Sequence, residues 1–210
     1  FARPIATADQ LLAITGETGT CTLDNGYYLT EDIAIPSTWN IANADVYLNL
    51  DGHSITMTGE TGSVIYVDEN SKLELFDTNK DTNGKITGGK GFVDGVNDGL
   101  SNGGGVYNKG IFNLHQGVIT ENTATNDAGG VMNYGTFNMY GGEISKNTTK
   151  HGGGVYNATE TSVVNIYDGK ITENTAENLA GGIFSLKGGP VNLYGGEISK
   201  NTAATGAGME

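Results

Sequence analysis

The chain has a single cysteine, three prolines and eleven basic residues against twenty-four acidic ones. With only Cys21 present, no intrachain disulfide can hold the fold. Such a residue most simply serves as a small buried hydrophobe, the alternatives being a reactive thiol or an intermolecular bridge. Proline at this level, with no Gly-X-Y period, excludes a collagen-like chain despite 34 glycines. The net charge of −13 (11 − 24) repels phosphate backbones, so nucleic acid is not an expected partner. An anionic membrane surface is disfavoured for the same reason. No apolar run approaches the roughly 20 residues that span a bilayer, so direct membrane insertion is not expected. Residue 1 is not followed by a charged-then-apolar leader.

What is present is repetition. Apolar residues make up 37% of the chain and recur evenly, which argues against disorder. One unit is written four times in the second half. It reads Gly104-Gly105-Val106-Tyr107-Asn108, Phe112-Asn113-Leu114, then Gly117-Val118-Ile119-Thr120-Glu121-Asn122-Thr123. It returns from Gly129, from Gly153 and from Gly181. Leu48 to Ile55 fits the second half of a copy, with Leu50 beside Leu75, and residues 73–87 fit with one insertion. The anchor isoleucines are then 55, 86, 119, 144, 171 and 198.

Each copy holds about three short alternating segments separated by Gly or Asn, a strand signature. A period in the twenties without helices excludes ankyrin and tetratricopeptide units, and a propeller blade needs about 40 residues. One copy per turn of a parallel β-helix fits, each coil bonding the next about 4.8 Å away. About seven coils make a column of roughly 34 Å. Phe112, Phe137, Val164 and Val191 stack in one inward column. Leu50, Leu75, Leu114, Met139, Ile166 and Leu193 form a second, and the anchor isoleucines a third. Asn122, Asn147, Asn174 and Asn201 are expected to stack as an asparagine ladder at a bend. The Gly-Gly pairs are expected to supply positive φ at a corner. Outward, Glu121, Lys146, Glu173 and Lys200 alternate in sign, as do Glu143, Lys170 and Glu197, which favours this register.

Residues 1–22 are expected to form an N-terminal cap. There Thr7-Ala8-Asp9-Gln10 has capping-box spacing ahead of Leu11, Leu12 and Ile14. A short helix would cover the strand edges of the first coil. Residues 23–210 form the β-helix, with a protruding insertion at 90–102 whose Asp94, Asn97 and Asp98 are candidate binding residues. Gly206-Ala207-Gly208-Met209 looks like the start of another copy, so the array is expected to continue beyond this sequence, with an export leader before it.

The Gly-Gly-Val-Tyr-Asn and Gly-Glu-Ile-Ser-Lys-Asn-Thr units, following Val46-Tyr47-Leu48-Asn49-Leu50-Asp51-Gly52-His53-Ser54-Ile55, resemble the right-handed parallel β-helix repeats of bacterial surface proteins. They are similar to repeats of chlamydial polymorphic membrane proteins and of large adhesins of gut Firmicutes. Over roughly residues 26–210 the resemblance implies an all-β, single-stranded right-handed solenoid, export to the cell surface, and an adhesive or stalk role. The expected partner is a host or microbial surface glycan or protein. Handedness follows from the resemblance and the crossover rule.

Two alternatives stand beside this reading: a purely structural solenoid, and a polysaccharide-active enzyme, since many parallel β-helix proteins are polysaccharide lyases or hydrolases. Pectate-type lyases generally use a basic residue with clustered carboxylates on Ca²⁺, and the only arginine here is Arg3. Gly52-His53-Ser54 lacks the second glycine of the polygalacturonase signature. No catalytic residue is assigned, and a non-enzymatic module is expected. Asp77, Asn79, Asp81 and Asn83 have the oxygen spacing of the first half of a calcium loop, but Lys90 stands where its bidentate acid belongs. A Ca²⁺ site and a plain turn closed by Asn83-Gly84 are both compatible with this run. His53, His115 and His151 fall in different copies, against a shared metal.

The outward column Phe76, His115, Tyr140, Tyr167, Tyr194 is the leading candidate ligand surface. Its rings either receive sugar rings or apolar groups, or stack on one another and shield the sheet. Tyr107, Tyr156 and Phe184 form a further row whose direction the sequence leaves open. Asn147-Thr148-Thr149 and Asn157-Ala158-Thr159 are glycosylation sequons of a kind that arises by chance in so Asn- and Thr-rich a chain.

Overall fold

In the three repeated segments every second side chain is apolar, so each segment buries one face when extended. A computed structural model describes residues 1–15, 22–93 and 99–210; Cys21, Asp94, Asn97 and Asp98 lie outside the described residues. The chain winds as a right-handed parallel β-solenoid of about seven coils. One coil runs through Val106–Asn108, Ile111–Leu114 and Val118–Thr120. These strands belong respectively to a six-stranded, an eight-stranded and a seven-stranded sheet, called here the third, first and second sheets. All pairs within the three sheets are parallel.

The inward columns run in register as the repeat predicts. Phe112 pairs with Phe137, which pairs with Val164 and then Val191. Ile55, Ile86, Ile119, Ile144, Ile171 and Ile198 follow one another through the second sheet. The first five are at most 1% exposed, and each such burial contributes about 1.5–3 kcal/mol. One column differs. Leu48, not Leu50, pairs with Leu75. Leu50 is also fully buried, one step further along, beneath Gly84 and Gly117. A slip of two residues keeps the same side chains inward, so alternation alone does not separate the two registers.

The Gly-Gly pairs serve a different purpose from the expected one. Positive φ falls on the residue before each pair: Gly103 (64°), Ala128 (55°), Gly152 (66°) and Ala180 (50°). The pairs themselves are required by close approach between coils. A Cβ on Gly104 would lie 2.5 Å from the carbonyl oxygen of Gly129, and one on Gly105 2.6 Å from Ile119 Cγ2. A second left-handed corner falls on Glu121, Lys146, Glu173 and Lys200, at φ of 54–57°. Each immediately precedes a ladder asparagine.

That ladder forms as expected. Asn122 Nδ2 donates to Asn147 Oδ1 at 3.0 Å, Asn147 to Asn174 at 2.9 Å and Asn174 to Asn201 at 3.0 Å. Each amide also donates to an anchor-isoleucine carbonyl of the preceding coil, Asn147 to Ile119 at 3.0 Å. Two further ladders went unread in the sequence. Asn108, Asn133 and Asn157 are fully buried and linked at 2.8 and 2.9 Å. Asn113, Asn138, Asn165 and Asn192 run along the outer face at 2.8 Å per step. Asn147 and Asn157, the sequon asparagines, are 0% exposed and bonded in these stacks, which closes them to glycan attachment.

The helix Ala8–Leu12 carries the expected capping box. Thr7 Oγ1 accepts from the Gln10 amide, and Gln10 Oε1 accepts from the Thr7 amide. Leu11 and Ile14 are buried, and the Trp39 indole donates to the Ile14 carbonyl at 2.9 Å. The coil starts earlier than the 1–22 boundary implied, because Arg3–Ile5 already pairs with Tyr27–Leu29 in the first sheet. The base of the 90–102 insertion is a short antiparallel pair, Phe92–Val93 with Ser101–Asn102.

Candidate functional site

The first sheet ends, coil after coil, in an outward aromatic residue followed by a turn into the second sheet. Stacking the coils stacks the rings. Phe76 lies on His115 at 4.2 Å between centroids, His115 on Tyr140 at 4.9 Å, and Tyr140 on Tyr167 and Tyr167 on Tyr194 at 4.9 Å each. Interplanar angles are 3–13°. Tyr47 and Phe1 extend the contact at the N-terminal end of the row. Of the two alternatives open in the sequence, mutual stacking is the one realised. The inner rings give their faces to one another and present edges and hydroxyls to solvent; Tyr140 and Tyr167 are 43% and 41% exposed. A sugar ring stacking flat on an inner tyrosine has no face to meet.

Beside this ladder lies a groove of about 840 Å³ that crosses several coils at the corner between the first and second sheets. His115 and Tyr140 form one wall, and Glu143, Lys170 and Glu197 the other. Asp77 to Lys80 closes one end. The charged wall keeps the expected register, Glu143 beside Lys170 beside Glu197. Among the described residues no ion pair within 4.0 Å joins these three, whereas Lys146 and Glu173 of the neighbouring ladder meet at 4.0 Å. Exposed pairs of this kind contribute little to stability, and unpaired charges remain available to a ligand.

His115 Nε2 sits 2.7 Å from Glu74 Oε2, and Asn113 donates to Glu74 Oε1 at 2.9 Å. Lys72 lies between Asp45 (3.2 Å) and Glu74 (3.6 Å). Burial on its own would raise the Glu74 carboxyl. The bonds from His115 and Asn113, with the nearby positive charge, outweigh it and hold the group below its ordinary range. Burial, with Tyr167 and Glu74 close by, pushes the Tyr140 phenol up, so it stays a neutral donor. Glu74 was not singled out from sequence; its outward place, two residues before Phe76 in Lys72–Phe76, carried the signal.

The calcium-like run is folded as a turn. Asp77 is 3% exposed and accepts from the amides of Gly52 (2.8 Å) and Gly84 (2.6 Å). Asn79 Oδ1 accepts from the amides of Asp81 and Thr82 at 2.9 and 3.1 Å. Three oxygens that would face a cation therefore face backbone donors, and Asp81 and Asn83 are exposed. Each histidine sits against one carboxylate: His53 with Asp32, His115 with Glu74, His151 with Asp127. Among the described residues no three His, Cys, Asp or Glu side chains gather at one metal-sized site.

The Tyr107, Tyr156 and Phe184 row points away from the solenoid interior but is covered. Tyr107 and Tyr156 are 2% and 6% exposed, packed with Met132, Ala128 and Ala158 in a second apolar cluster. Burial, with Asp127 and Tyr134 nearby, raises the Tyr156 phenol. No helix among the described residues is long and apolar enough to cross a membrane. Compared with protein families, with curated proteins and with solved structures, the chain matches none.

Proposed function

We propose that the chain is a rigid, non-enzymatic binding module of an exported bacterial surface protein, and that its groove takes an extended surface glycan. One observation carries this reading: the groove of about 840 Å³ runs across successive coils beside the ring-edge ladder, so its polar groups recur coil by coil. A groove of that size is in the range of ligand sites. The Tyr140 phenol donates and accepts, Glu143, Asp168 and Glu197 accept, and Lys170 donates, which suits a ligand carrying many hydroxyls. The resemblance to adhesin-type β-helix repeats supports display at a cell surface.

The test is a glycan-array and mucin-binding screen with depolymerisation assayed in parallel. Binding without cleavage is expected, and it is weakened in the double variant Tyr140→Ala, Tyr167→Ala, whose side chains are exposed and whose removal leaves the interior intact. Equal binding by variant and parent removes the groove from the account. Cleavage overturns the non-enzymatic reading and directs attention to Glu74 and His115, a carboxylate-oriented imidazole of the kind that serves as a general base.

A further inference from the structure

The outward row of the third sheet runs Asn40, Tyr66, Tyr107, Met132, Tyr156, Phe184. Its middle is sealed, as described above. Its N-terminal end is not. Tyr107 covers one face of Tyr66 at 5.5 Å and 11°, and Phe92 leans on it at 5.3 Å and 50°. The coil on the other side supplies an exposed amide, Asn40, where the row would place another ring. Unlike Tyr140 and Tyr167, Tyr66 is not sandwiched between two stacked rings.

A cavity of about 710 Å³ occupies that step. Tyr66 and Asn40 line it along the row, Phe92 and Val93 from the base of the insertion flank it, and Thr38, Glu60 and Asp68 add polar groups. The side chains of Thr38, Asn40, Glu60 and Asp68 make no hydrogen bond or ion pair to other described residues. Lys109 Nζ, 6.0 Å from the Tyr66 ring centre, is not among the lining groups. The cavity thus joins an aromatic ring to a polar set that can accept throughout: two carboxylates and an amide oxygen, with one amide NH₂ and the hydroxyls of Ser37, Thr38, Thr61 and Tyr66, which both donate and accept. Such a set suits a ligand that is apolar on one face and rich in hydroxyl donors at its rim, and it repels anions.

We propose that this cavity binds a single uncharged pyranose ring. The C–H face of the sugar lies on Tyr66, vicinal hydroxyls donate to Asp68 and Glu60, and Asn40 bridges a further hydroxyl. The site rests on the reading of the chain as a glycan-binding module but shares no residue with the ladder groove.

The experiment is an amide-resolved NMR titration of the whole chain with methyl glucoside, N-acetylglucosamine, glucuronate and tetramethylammonium. Saturable shifts at Asn40, Tyr66 and Asp68 are expected with one of the two neutral sugars, and binding of glucuronate about tenfold weaker. Asn40→Ala and Asp68→Asn each weaken the neutral sugar by about tenfold, the loss of one strong hydrogen bond, with the rest of the spectrum unchanged. Tighter binding of tetramethylammonium than of either sugar makes the cavity a cation site and overturns the proposal. Absence of shifts with both neutral sugars overturns it as well. Shifts confined to His115, Tyr140 and Tyr167 overturn it while leaving the groove reading standing.

Discussion

Asparagine occupies two kinds of place in this chain, and the difference is one of solvent. Asn147 is 0% exposed, donates to Asn174 and Ile119, and accepts from the amide and side chain of Asn122. Asn165 makes the same kind of step in the outer ladder, donating to Asn138 and accepting from Asn192, but it is half-buried and water replaces what it loses. Unmaking a buried hydrogen bond costs the desolvation of the partner left behind, about 1–3 kcal/mol. Asn147→Ala strands the Asn122 backbone amide and removes the side-chain donors to Asn174 and to the Ile119 carbonyl at once. We therefore expect Asn147→Ala to destabilise by about 2–4 kcal/mol and Asn165→Ala by about 1 kcal/mol or less, read by urea denaturation. Equal losses would show that burial is not what distinguishes the ladders.

At the scale of the element, the corner before each third-sheet strand sets two requirements on adjacent residues. One residue adopts the left-handed conformation, and the next two tolerate no Cβ. Gly130→Ala would place its Cβ against the Gly154 carbonyl oxygen and 2.9 Å from Ile144 Cγ2. We expect it to cost about 1–3 kcal/mol as overpacking in a site that cannot yield. Ala128→Gly acts on the other requirement. It relieves a left-handed alanine, a gain of about 1–2 kcal/mol, but forfeits a buried methyl worth about 0.8 kcal/mol and adds unfolded-chain entropy worth about 0.4–1 kcal/mol. Gain and losses nearly cancel, so its melting temperature should stay close to that of the parent while that of Gly130→Ala falls by several degrees. This corner also marks what one copy of a repeat discloses. Glycine at 129 and 130 is visible in the sequence; the atoms that exclude a Cβ there belong to Thr148 and Gly153 for the first and to Gly154 and Ile144 for the second, all later in the chain. The isoleucine, phenylalanine and Asn122 columns were legible because identical residues recur at one spacing. Leu48 and Leu50 were not separable, since either puts a leucine inward. The tyrosine column was legible as a column, but whether its rings met solvent or each other depended on the separation of adjacent coils and the tilt of the side chains. The Tyr66 cavity left no periodic trace, because it arises where the aromatic row is interrupted by Asn40.

At the scale of the molecule, each coil touches chiefly the coils above and below, so stability is a sum over neighbours rather than the property of one core. The Ala8–Leu12 helix lies over the N-terminal coils with Leu11 buried. Damage to one coil should therefore loosen the adjacent coils first and distant ones less. Ile144→Asp buries an unpaired charge in the column between Ile119 and Ile171. In that variant, hydrogen exchange followed by mass spectrometry is expected to show the greatest loss of protection around Ile119 to Asn122 and Ile171 to Asn174, and the least around Ile33 to Ile35. Uniform loss would show a single cooperative unit instead.

The asparagine stack has a consequence for how such a chain changes length over generations. Asn122, Asn147, Asn174 and Asn201 each offer the same donor to one neighbour and the same acceptor to the other, at separations of 25 and 27 residues. A gene segment encoding one such stretch, copied or lost in frame, would leave every remaining amide with a partner of the right kind. Recombination between near-identical stretches is thus tolerated in whole coils and punished in fractions of one. The inheritable variable of this architecture is an integer.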